Sequence, residues 1–283
     1  MSGTSQGAPP PAEIDIRAEM RRAAASLAAA AHDRRARAVT SDLSVDESLL
    51  LHSIGWEAVD VVFGSSVVSI PPGVWNWGSG EIAAASEAHN LAVRSAGDHL
   101  GEQCSAVRGH GVVGVRVEVD VQRHHVDVEL TGTAVRPVKG KDAANVFVSD
   151  LSARDFTLLH NAGWGPIGLA FGASFVYAPR RSVGTTMRQS SQNVELTNFT
   201  EAMYSAREAG MEHMQRSALD MGAHGIVAVR VADGPMWFAH HAIGFTAWGT
   251  AVRLEAESHQ YLRPQMVLPL DDATVEFEAQ SLR

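Results

Sequence analysis

The chain has 283 residues, 45% of them hydrophobic, enough to fill the core of one large or two ordinary domains. Its 32 acidic residues outnumber 23 basic ones, so the body repels a nucleic-acid backbone, and no basic patch in the folded part reverses that. A single cysteine, Cys104, excludes an intrachain disulfide framework and a thiolate zinc site within one chain. No stretch approaches the roughly 20 apolar residues of a spanning helix, so no membrane span and a cytoplasmic location are expected.

Residues 1–40 read as a disordered Gly/Ser/Pro start followed by an Ala/Arg-rich N-terminal helix over 13–38. From Ser41 onward the sequence repeats itself. "SDLSVDESLLLHSIGW" (41–56) aligns without gaps on "SDLSARDFTLLHNAGW" (149–164), and "VFGSS" aligns on "AFGAS". Further on "HGVVGVRV" (110–117) aligns on "HGIVAVRV" (224–231), and GTAVR occurs at both 132–136 and 249–253. Colinear matches of this kind mark an internal duplication. Its halves span 41–140 and 141–256, with a C-terminal extension over 257–283 in which "ATVEFEA" reads as an extra strand.

Each half yields the same elements. Ser44 with Glu47, and Ser152 with Asp155, form capping boxes that open a short helix ending at Gly-Trp. A Val/Phe-rich strand follows, in which the central Gly-x-Ser predicts a bend or bulge. Ala88, Ala92, Ala96, Leu100, Cys104 and Val107 then recur at helical spacing, as do Phe199, Ala202, Ala206, Gly210, Met214, Ala218 and Met221. Two antiparallel strands close each half. Such a unit leaves sheet edges open to the other half or to another chain. Gly132 and Gly249 are expected where the terminal strands bend or where a neighbouring backbone comes close.

The order of these elements, with "LGEQCSAVRGHGVVGVRVEV…ELTGTAVRP" and "MGAHGIVAVRVA…TAWGTAVRLE", resembles the YbjQ-like family, also called the heavy-metal-binding domain family. The resemblance covers nearly all of 41–140 and 149–256. It implies an α+β fold of two tandem dodecin-like repeats and a homo-oligomeric ring, typically a pentamer.

Every histidine of the second half has a counterpart in the first: His52 with His160, His99 with His213, His110 with His224, and the dyad His124, His125 with His240, His241. The dyads are the candidates for a divalent ion such as zinc, nickel or copper. Adjacent strand residues face opposite ways, so a complete site needs ligands from another half or chain. His52 and His160 suit helix ends, His110 and His224 suit the turn beside glycine, and Cys104 suits a buried apolar stripe. Trp75, Trp77 and Trp248 could stack a planar ligand, with packing as the alternative for the Trp-Asn-Trp loop. No nucleophile or acid/base pair stands out, so the chain is expected to be no enzyme. The expectation is a non-enzymatic, ring-forming assembly module that binds metal through histidines. The alternative is a dodecin-like oligomer that binds a small molecule or cofactor.

Overall fold

The computed structural model describes residues 39–76, 78–139, 145–179 and 195–256. Residues 1–40 form one unit and 41–283 another; only Val39 and Thr40 of the first are described. The expected N-terminal helix, Trp77 and the strand expected in the C-terminal extension lie outside the described residues.

Among the described residues, four helices and two four-stranded sheets make the second unit a mixed α+β structure. Helix α1 (Val45–Ser53) opens with the expected capping box, in which the Ser44 hydroxyl accepts from the Glu47 amide and the Glu47 carboxylate accepts from the Ser44 amide. Its exit needs a left-handed turn, supplied by Gly55 at φ 77°. Strand β1 (Trp56–Ser69), the two-residue β2 (Gly80–Glu81), helix α2 (Ala83–Ala106), β3 (Gly111–Val121) and β4 (His125–Pro137) complete the first half. The two-residue β5 (Phe147–Val148), α3 (Ala153–Asn161), β6 (Trp164–Tyr177), α4 (Thr197–Asp220), β7 (Gly225–Met236) and β8 (Ala239–Leu254) form the second.

The sheets run β1-β4-β3-β5 and β2-β6-β8-β7. Corresponding residues pair in corresponding registers: Val62 opposes Gly132, and Ala170 opposes Gly249. Each half also covers an edge of the other. Strand β5 adds parallel to β3, and β2 adds antiparallel to β6.

Helix α2 lies between the sheets and α4 covers the far face of the second. One buried cluster joins Val62, Leu130, Ala92, Ala96 and Leu100 with Phe171, Phe175 and Tyr177 from the second sheet. A separate cluster joins Ala170, Ala247 and Phe245 to Ala202, Ala206 and Met214 of α4. Helix α2 is therefore buried on two sides and α4 on one. At about 1.5–3 kcal/mol for each large side chain removed from water, Phe171 and Phe175 alone make the seam between the halves substantial.

The expected bend at Gly-x-Ser is corrected. The registers run unbroken through Gly64 and Gly172, and the strands slip instead at Ala58/Asp60 and Pro166/Gly168. Those glycines admit a helix: a Cβ on Gly64 would lie 2.2 Å from the Ala96 carbonyl oxygen, and one on Gly172 2.2 Å from that of Gly210.

GTAVR also finds its reason. Strands β3 and β7 bulge between Val113 and Arg116 and between Val227 and Arg230. The bulges press on Gly132 and Gly249, where a Cβ would meet Val113 O at 3.1 Å and Val227 O at 2.8 Å. The bulge thus belongs to the partner strand. The next residue, threonine, holds the repeated Ser-Asp: Asp42 N donates to Thr133 Oγ1, and Asp150 N to Thr250 Oγ1, each at 3.1 Å. The carboxylates face equivalent arginines, Asp42 with Arg116 at 2.7 Å and Asp150 with Arg230 at 3.7 Å. Asp150 is fully buried, and burial raises its pKa against the opposing pull of the Thr250 hydroxyl and Arg230.

Candidate functional site

The histidine dyads sit at the hairpin ends. His125 opens β4 and lies 3.5 Å from Asp127, while His124 stands exposed in the turn and its carbonyl accepts from Ile70 N. His240 is exposed. The ring of His241 stacks parallel to Tyr177 at 5.9 Å, and its Nε2 lies 2.9 Å from the Trp75 carbonyl oxygen. Among the described residues no three His, Cys, Asp or Glu side chains gather into a group that could hold a metal ion. The described residues therefore bring together no donor set for zinc, nickel or copper.

Trp75 ties the two hairpins together. Its Nε1 donates to Arg123 O at 2.8 Å, and its ring meets Phe238 at 4.9 Å and Phe175 at 5.6 Å, edge to face. Protein groups pack against the ring, which is 7% exposed. Trp248 is half-buried on β8 beside Phe171 and packs against the core shared by the halves. A cleft of about 540 Å³ opens where Gln122–His125 face Trp237 and Phe238. A groove of about 1440 Å³ runs between α2 and α4, with Asp98, Glu102 and Asp220 on its rims and Ile167 and Leu169 within it.

The remaining histidines serve local structure. His110 and His160 pack around Trp56, His224 packs on Trp164, and His99 and His213 meet the carbonyl oxygens of Ser65 and Ala173 at 2.8 and 2.9 Å. Cys104 is buried as expected, with its thiol pushed up to about 12 by desolvation.

The residues that sequence reasoning missed lie on the second face of α2. Asn90 clamps the edge of β6: its Nδ2 donates to Ala173 O at 3.1 Å and its Oδ1 accepts from Ala173 N at 3.0 Å. Ser86 Oγ accepts from Phe175 N at 3.1 Å. His89 lies flat against Phe171 and beside Phe175, with both ring nitrogens unpartnered, and burial lowers its pKa to about 4. The signal was the spacing of Ile82, Ser86, His89 and Val93, a second helical stripe masked by its polar members.

Among the described residues, the equivalent strand of the first sheet has no such cover. Phe63 and Val67 occupy the places of Phe171 and Phe175, and both are exposed. Helix α4, equivalent to α2, likewise turns Tyr204 outward.

Residues 180–255 match the model of the YbjQ family described as "Putative heavy-metal-binding". The chain is also 32% identical over 246 residues to the encapsulin nanocompartment protein Rv1762c of Mycobacterium tuberculosis, a match covering 82% of this chain and 92% of that protein. No solved structure matches. The chain belongs to the same family as this nanocompartment protein, and its second half carries the YbjQ-like domain. This finding overturns the expected metal-binding ring module and the alternative dodecin-like small-molecule binder, since the relative is named for a protein compartment. Among the described residues, no helix is long and apolar enough to cross a membrane.

Proposed function

We propose, from this family membership, that the chain is a structural component of a protein nanocompartment and acts by self-assembly, with no catalytic role. The match to the mycobacterial protein along 92% of that relative carries the reading. The surfaces left uncovered on β1 and α4 support it, because an assembling protein needs apolar faces that its own chain does not bury. A cytoplasmic location goes with this role. No divalent ion enters it.

The two halves are read as a tandem duplication of one YbjQ-like, dodecin-like unit. The equal order of the three long strands in each sheet, with their registers and bulges, supports that origin. The family resemblance sets the expected assembly at five, which native mass spectrometry of the purified protein counts directly.

The role itself is tested by tagging the chain in its native host, sedimenting large particles from the lysate and imaging them by electron microscopy. The tagged chain should be found in particles bounded by a protein wall. Its recovery only as a free monomer, absent from every particle, would refute the proposal.

A further inference from the structure

Two of the contacts that make the seam inside the chain run in opposite directions. Helix α2 of the first half lies on β6 of the second through Ser86, His89 and Asn90, and Ile82 N donates to Phe175 O at 2.6 Å. In return, residues 149–151 of the second half line the bulged edge of β3. Ser149 N donates to Val112 O at 2.9 Å, Val115 N to Ser149 O at 3.0 Å, and Gly114 N to Leu151 O at 2.7 Å.

Each half owns all four surfaces, and among the described residues only two of them are used internally. On the first half β1 and Ser41–Leu43 remain; on the second, α4 and β7 remain. The leftovers correspond residue by residue to the surfaces that mate within the chain. Leu196, Thr200, Met203 and Tyr204 stand where α2 and its approach have Ile82, Ser86, His89 and Asn90. Ile82 is 4% exposed and Leu196 48%, while Phe175 is 1% exposed and its counterpart Val67 70%. Val229 and Val231 of β7 are exposed where Val115 and Val117 of β3 are buried or half-buried.

We propose that these leftover surfaces mate between copies of the chain. Helix α4 and β7 of one copy meet β1 and Ser41–Leu43 of the next, repeating head to tail the seam within the chain. This inference rests on the self-assembly proposed above and identifies its interface. Thr200 replaces Ser86 as acceptor for the strand amide at Val67, Leu196 takes the place of Ile82, and Ser41–Leu43 adds to Ile226–Val229 as 149–151 adds to β3. Both contacts join the same pair of half-units, so one rigid docking satisfies them together. The interface is heterologous, so each addition presents the same two surfaces again until the assembly closes.

Two measurements on the full chain test this. With Cys104→Ala as background, Val67→Cys combined with Thr200→Cys should give a ladder of disulfide-linked multimers on a non-reducing gel after mild oxidation, and each single cysteine variant should give none. Val67→Glu and Leu196→Glu, at exposed positions that leave the fold intact by circular dichroism, should shift the mass by light scattering to that of a monomer. Leu91→Glu, 51% exposed on the outward side of α2, should leave assembly unchanged. If the wild-type chain assembles while both glutamate variants remain assembled and no ladder forms, the head-to-tail interface is wrong and the assembly reading stands. A monomeric wild-type chain overturns both.

Discussion

His89 gives the sharpest test of the seam. It is 1% exposed, bears no hydrogen bond on either nitrogen and packs on Phe171 and Phe175, so the imidazole is held neutral. Desolvation lowers its pKa from 6.5 to about 4. Between those values the unfolded chain takes up the proton and the folded chain does not. The neutral site's full contribution to stability is therefore present above pH 6.5 and is lost as pH falls toward 4. At about 1.4 kcal/mol per pH unit, the loss approaches roughly 3 kcal/mol. His89→Met, which installs the residue that Met203 supplies in the second half, removes the titration and keeps an apolar side chain of similar bulk.

Urea unfolding of both proteins at one fixed concentration, at pH 7.5, 5.5 and 4, isolates the effect. Carboxylates such as Asp150 titrate in both proteins and cancel in the difference. The wild type should lose roughly 3 kcal/mol more than the variant across this range. Parallel stability profiles would show that the imidazole finds water or a partner, and the argument from burial would fail.

Gly64→Ala or Gly172→Ala puts a Cβ 2.2 Å from a helix carbonyl oxygen, which cannot swing aside, so each should cost about 1–3 kcal/mol or more and lower the melting temperature. Ala228 holds φ 54° where the first half has Gly114 at φ 65°. Relief of roughly 1–2 kcal/mol of left-handed strain, less about 0.5–1 for glycine's extra freedom when unfolded, should let Ala228→Gly raise the urea midpoint slightly. Thr250→Val strips a buried carboxylate and amide of their partner and should cost about 2–4 kcal/mol. Thr133→Val should cost about 1 kcal/mol, because Asp42 is half-exposed and keeps Arg116; chemical denaturation of the two variants compares them.

The caps and the element order were legible because they depend on near neighbours in sequence. Ser44 and Glu47 cap one another whatever surrounds them. The glycines were legible as special and not as to cause: a bend, a bulge and a pressing helix all call for a missing Cβ, and only packing chose the helix for Gly64 and the opposing bulge for Gly132. Helix α2 misled for a related reason. Its periodicity picks out the Ala88–Cys104 stripe alone, yet Ser86, His89 and Asn90 make a second face that meets another sheet. Trp75 was legible as an aromatic in a loop, while its neighbours Arg123, Phe238 and His241 come from distant hairpins. Nothing in the residues pointed to a nanocompartment. That came from the relative alone.

If the halves share the proposed origin, the difference between them follows from tethering. A seam between half-units in one chain forms at a high effective concentration and escapes most of the rotational and translational cost of association, which is on the order of 4–15 kcal/mol between free partners. The internal seam therefore tolerates an unpaired His89 and offsets it with the two-bond Asn90 clamp, which fixes register. The outward surface has no tether to lean on. Its counterparts, Met203 and Tyr204, exchange the buried imidazole and amide for side chains that gain from losing water. Replacing His89 should thus strengthen the fold. Met203 is half-buried against the core beneath α4, so replacing it with histidine should cost the isolated chain some stability and weaken assembly more, with a further loss below pH 6.5; an assembly midpoint unmoved by Met203→His at any pH would place Met203 outside the interface.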